Sequence, residues 1–319
     1  MKKCWLALGV FGLAALSGAL YAESLFTLAA RRKSFLFSIL KAQKESLDDP
    51  EQARKIQVSR LALRKLPMQT LTLASHDGIT LTGHWLPAAG TPRRTIILMH
   101  GWRSSWDVDF GPIATYLHEN GCHLLFAEER GQGASEGRYI TFGVLERRDL
   151  QSWVRALSHW EPTGLPLYLY GVSMGAAAVL MASVLPMDRH VHGIIADCGY
   201  TSPSAIMTAV LDRDSHIPSQ LAYAAAARVF RRRSGLDPAD YSALEAMKTN
   251  TIPTLFIHGD ADPLVPLSMT YENYHACRAP KELLIVPGAV HAASSITAPA
   301  AYQQKLMHFF QTYDGAPQP

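Results

Sequence analysis

Cysteine is scarce in this sequence. Its four residues, at positions 4, 122, 198 and 277, form no CxxC pair and no metal-like spacing, which argues against a disulfide framework and a zinc site. The 13 histidines include no HExxH, so no metalloprotease-type cluster is expected and no metal or cofactor is implied. Charge of one sign is lacking too. Thirty Lys and Arg against 27 Asp and Glu leave a net charge of +3, too mild to point to nucleic acid or a polyanionic substrate. There is no internal repeat, and the Pro-rich end, residues 315–319, is the only low-complexity stretch.

One long uncharged run is present. Lys2 and Lys3 precede the 18 residues Trp5–Ala22. That is long for a signal-peptide core and close to the roughly 20 residues that span a bilayer. Ser17-Gly18-Ala19 is a passable cleavage site and Leu20-Tyr21-Ala22 a poor one, so residues 1–30 read as an uncleaved anchor. The catalytic domain is then expected on the extracytoplasmic side, the alternative being secretion after cleavage. Residues 31–66 contain no Gly and read as an amphipathic helical connector ended by Pro67.

Beyond position 67 the patterning changes. Residues 69–73 and 79–86 alternate polar and apolar around Asp77-Gly78, as in an antiparallel hairpin. The runs 94–99, 122–127, 165–170, 193–196, 254–257 and 283–286 are almost wholly apolar. Apolar strands separated by helix-length segments (107–120, 143–160, 173–185, 267–278 and 297–312) specify an α/β fold: a mostly parallel eight-stranded sheet with helices on both faces. Residues 67–314 form this domain, followed by the tail 315–319.

Leu167–Val179 is the stretch the remainder is organised around. An apolar strand meets Gly171-Val172-Ser173-Met174-Gly175 and runs at once into an Ala-rich helix, the context of a nucleophile elbow. Ser173 must sit on a very sharp turn, and the flanking glycines remove side chains that would clash with adjacent backbone. Such a turn exposes the hydroxyl and aims the Met174 amide at a developing oxyanion. The strand ends supply His100-Gly101-Trp102, Asp197, Asp260, Asp262 and His291, and ligands of open parallel sheets bind at those ends. His291, after the last strand, is placed to reach Ser173.

With these motifs in this order, the chain from about Leu71 to Tyr313 resembles the α/β-hydrolase superfamily. More narrowly it is similar to the membrane-anchored bacterial hydrolases of the Bem46-like and serine aminopeptidase-like branch. His100-Gly101-Trp102 resembles that branch's HG(Y/F/W) oxyanion loop. Residues 128–137, EERGQGASEG, resemble its D-x-R-G-H-G-x-S-x-G loop, and HGDADPLVP and PGAVH its HGxxDxxVP and PGxxH. Glu128 and Gln132 depart from the usual Asp and His, which puts the pocket rim in question rather than the reaction. The resemblance implies Ser173 as nucleophile, His291 as base and Asp262 as acid, with Asp260 and Asp197 as competing acids. It implies the backbone amides of Trp102 and Met174 as oxyanion donors, and a helical cap inserted at about 199–250. Arg231-Arg232-Arg233 in the cap reads as a solvated face, the alternative being contact with acidic headgroups or an anionic substrate.

The expected activity is hydrolysis of a carboxylic ester or thioester, small-molecule or lipid, with amide cleavage as a sub-case and no cofactor. The other class is a catalytically silent membrane-tethered binding protein. Dehalogenase or dienelactone chemistry would need Asp or Cys at the elbow. Every implied site residue lies after Leu71, so the anchor is expected to be dispensable for the chemistry.

Overall fold

The computed structural model describes residues 18–32, 50–161, 164–187, 190–215 and 217–315. Among the described residues there are eight strands: β1 (Gln69–Ala74), β2 (Thr80–Leu86), β3 (Arg94–Met99), β4 (Cys122–Ala127), β5 (Leu167–Val172), β6 (Val191–Asp197), β7 (Thr254–Gly259) and β8 (Lys281–Val286). They form one sheet in the order β1-β2-β4-β3-β5-β6-β7-β8. β1 and β2 pair antiparallel and β2 joins β4 antiparallel; every pairing from β4 to β8 is parallel. The alternating β1 lies at the edge with β2 beside it, whereas β3 and β7 are buried along their whole length. An all-apolar strand needs cover on both faces.

That cover comes from helices α1 (residues 18–29), α2 (Pro50–Leu63), α3 (Trp106–Glu119), α4 (Glu146–Trp160), α5 (Met174–Ala182), α6 (Pro203–Asp214), α7 (Ser219–Ser234), α8 (Ala243–Met247), α9 (Leu267–Ala276), α10 (Ser294–Thr297) and α11 (Pro299–Tyr313). Successive side chains of a strand point to opposite faces. Ile97 and Met99 therefore join one core with Trp153 of α4, Leu180 of α5 and Met269 of α9. Ile96 and Leu98 join the other with Phe110 of α3 and Phe309 of α11. α5 is buried at every position, as a helix apolar all round must be.

The segment after β6 folds as the expected helical insertion, with α6, α7, a 3₁₀ turn at Pro238–Asp240 and α8. The N-terminal part differs from expectation. Residues 31 and 32 are not helical; Arg31 bridges Tyr139 antiparallel. Helix α1 packs on the cap, with Ala22, Phe26 and Ala30 buried against Phe142, Val229 and Phe230. Thus a boundary at residue 30 falls inside a packed unit. Most of the apolar run Trp5–Ala22 lies outside the described residues, and among those described no helix is long and apolar enough to cross a membrane.

Candidate active site

The chain places β4 on one side of β3 and then returns to place β5 on the other, with Met99 in register with Gly171. The crevice at such a reversal is where open α/β sheets bind ligands. Two loops meet there, the one after β3 and the elbow after β5. An added Cβ on Gly101 would come within 3.3 Å of the Ser173 Cβ, so the loops are in direct contact.

Ser173 follows β5 with φ 56° and ψ −114°, a left-handed backbone that a non-glycine residue adopts only when its surroundings force it. The forcing is visible. A Cβ on Gly171 would lie 2.2 Å from Gly175, and one on Gly175 only 1.9 Å from the Met99 carbonyl oxygen. The Ser173 amide donates to the Asp197 carbonyl at 2.8 Å. Met174 opens α5, and the first amides of a helix have no partner within it.

The structure brings Ser173, His291 and Asp262 together. His291 Nε2 lies 2.9 Å from Ser173 Oγ, and His291 Nδ1 lies 2.7 Å from Asp262 Oδ2. Since the carboxylate only accepts, Nδ1 carries the proton and Nε2 accepts from the serine hydroxyl. Asp262 Oδ1 takes the Leu264 and Val265 amides at 2.8 and 3.0 Å, leaving Oδ2 for His291 and for His258 at 3.1 Å. Burial alone would raise the Asp262 carboxyl, but hydrogen bonds from His258, His291 and the Val265 amide outweigh it and hold it well below the usual range.

The two competing acids are engaged elsewhere. Asp260 Oδ1 accepts the Gly288 amide at 2.6 Å, joining the loops after β7 and β8. Asp197 Oδ2 accepts the Tyr302 hydroxyl at 2.8 Å, and burial pushes its carboxyl up to about 6 against that bond. Cys198, Asp262 and His291 offer ligand atoms within 4.8 Å of one another, but burial drives the Cys198 thiol well up, so it is a neutral neighbour of the acid–base pair.

The loop after β3 is tied down from below. Gly101 N and Ser104 Oγ donate to the two oxygens of Asp109 at 2.7 and 2.5 Å. His100 Nδ1 donates to the Gly101 carbonyl at 2.9 Å, while its Nε2 accepts the Glu129 amide at 3.2 Å. The two departures from the resembled loop have jobs. Glu128 bonds His84 at 2.8 Å and accepts the Ala134 amide; Gln132 Oε1 accepts the Arg103 amide at 2.6 Å. Arg103 has φ 52°. Among the described residues, the five non-glycine residues with positive φ (Arg103, Phe142, Ser173, Cys198 and Ala292) all fall on loops at the carboxyl ends of strands. Sequence reasoning missed Asp109, which carries no motif of its own, and Tyr302, whose partner Asp197 lies 105 positions away.

A profile of the serine aminopeptidase family matches residues 90–233. Protein YfhR of Salmonella typhimurium is 28% identical over 252 residues, covering 76% of this chain and 82% of its own. Protein YqkD of Bacillus subtilis is 25% identical over 253 residues, covering 78% and 81%. Among solved structures, an esterase of Pyrococcus furiosus superposes with a TM-score of 0.64 at 22% identity, covering 78% of this chain and 92% of that one. An α/β serine hydrolase without lid from Xanthomonas campestris superposes at 0.54 and 19% identity, covering 78% and 96%.

Proposed function

The chain belongs to the α/β-hydrolase superfamily, and on that premise we propose that it is a serine hydrolase working through an acyl-enzyme on carboxylic esters or thioesters, with amides as a slower sub-case. The observation that carries this reading is the continuous chain Ser173 Oγ to His291 Nε2 and His291 Nδ1 to Asp262 Oδ2, at 2.9 and 2.7 Å, on a strained elbow. His291 takes the Ser173 proton as Oγ attacks the acyl carbon, then returns it to the leaving alkoxide or thiolate. Water deacylates the serine by the same route. Asp262 keeps the imidazole in the reacting tautomer and stabilises the imidazolium. The amides of Met174 and Trp102 take the oxyanion, each donor worth roughly 2.7–4 kcal/mol.

Helix α1 and the cap pack together through an apolar contact that includes Phe142, Val229 and Phe230. The proposal includes a tether to the bilayer through the apolar residues that precede helix α1, which would bring lipid-like acyl substrates to the mouth. The test is labelling with a fluorophosphonate probe, then turnover of p-nitrophenyl esters of rising chain length. Ser173→Ala is expected to fold and lose both; wild-type ester turnover in that variant would sink the assignment.

A further inference from the structure

The segment that precedes the catalytic domain grips the loop that must bind the oxyanion. Helix α1 and the turn that closes it bury Ala22, Phe26 and Ala30, four residues apart and so on one face. Phe26 meets Tyr139 and Phe230 edge-on at 5.2 and 5.9 Å. Tyr21 shares a hydrogen bond with Ser215 at 3.1 Å, and Glu23 pairs with Arg232 and Arg233, so part of the cap's arginine run has a partner in this chain.

A helix end leaves carbonyls without intrahelical donors. Here the donors come from the catalytic loops. Trp102 Nε1 donates to the Ala29 carbonyl at 2.7 Å, the Ile140 amide to that of Ala30 at 2.7 Å, and the Arg103 guanidinium to that of Arg31 at 2.6 Å. The Arg32 guanidinium returns bonds to the carbonyls of Gly133, at 2.8 Å, and Ser135. Residues 102 and 103 are thus held from both sides: amide to Gln132, side chains to α1 and its exit.

We propose that residues 21–32 are a positioning element for the oxyanion loop, holding Trp102 and the left-handed Arg103 so that the Trp102 amide faces Ser173. A strained backbone persists only where its surroundings over-determine it, and three of the bonds that do so run to this segment or to Gln132. The segment expected to be dispensable therefore acts on the turnover step. The inference rests on the hydrolase reading above.

The test uses the full chain, a short p-nitrophenyl ester and the fluorophosphonate inactivation rate. Phe26→Ala loosens the segment and Arg103→Ala removes its bond to the loop. Losing one oxyanion donor outright costs about 10²–10³ in kcat, so a misaligned donor should cost at least about tenfold. We expect that loss in both variants, with KM within about twofold, a parallel fall in inactivation rate, and recovery to within about threefold in Arg103→Lys. Should Phe26→Ala fail to fold, the Arg103 pair carries the test alone. Folded variants with wild-type kcat, or a loss confined to KM, overturn the proposal. An inert wild-type chain overturns the hydrolase reading instead, and this proposal with it.

Discussion

Asp260 and Asp262 stand two positions apart, yet the loop gives them different work. Asp262 is fixed by two amides on one oxygen and offers the other to His291. Asp262→Asn would present an amide where the imidazole N–H needs an acceptor, favouring the wrong tautomer. It should lower kcat by about 10⁴, and Asp260→Asn far less. Steady-state kinetics on both variants decides this; the larger loss at Asp260 would mean the wrong acid is paired. Asp197 makes a second residue-level case. Its carboxyl is raised to about 6 by burial, from an unfolded value near 3.8. The folded state thus binds its proton more tightly than the unfolded one does. The stability this contributes is complete below about pH 4 and is lost as pH rises through 6, on the order of 2–3 kcal/mol in all. Asp197→Asn should flatten that part of the stability–pH curve in urea titrations; an unchanged slope from pH 4 to 7 would refute it.

Elements show how much the sequence could say. Strands buried on both faces must be apolar throughout, so β3, β4 and β7 read off directly, and the elbow read off because only glycine fits beside it. The fifth strand was expected from Leu165 but begins at Leu167, because Pro166 has no N–H for the ladder; its carbonyl still accepts the Thr95 amide at 2.9 Å. The contacts of the N-terminal segment were not legible for a physical reason. An apolar run is equally suited to a bilayer and to a protein surface, and the bonds joining Trp102 to Ala29 span 73 residues. Nothing local records them. The elbow also gives a sharp expectation at this scale. Gly175→Ala would set a Cβ 1.9 Å from the Met99 carbonyl, a contact that rigid backbone on both sides cannot relieve. It should abolish probe labelling of Ser173 even in whatever fraction folds, and a labelled, active Gly175→Ala protein would show that the turn is looser than drawn.

At the scale of the whole molecule the two ends of the sheet divide the labour. Ser173, Asp262, His291 and the oxyanion loop all follow the carboxyl ends of strands, while the amino ends carry ties that touch no site residue. The strongest joins β3 to the end of α11. Arg94, 2% exposed in its side chain, meets Asp314 with two bonds at 2.7 and 3.2 Å, lies 4.6 Å from the Phe310 ring centre, and shares Asp314 with the Tyr168 hydroxyl. Asp314→Asn keeps the shape and removes the charge, leaving the guanidinium buried without its carboxylate. Breaking a fully buried pair costs about 3–5 kcal/mol. Asp314 is 27% exposed in its side chain, so water screens part of the interaction and about 2–3 kcal/mol is the better expectation. That corresponds to a fall of roughly 4–10 °C in Tm for a domain of this size. Turnover per folded molecule should not change, because no strand moves at its carboxyl end. Thermal melts alongside active-site titration with the probe separate the two quantities. A variant that melts normally but turns over slowly would contradict the division of the sheet into a chemical end and a structural one.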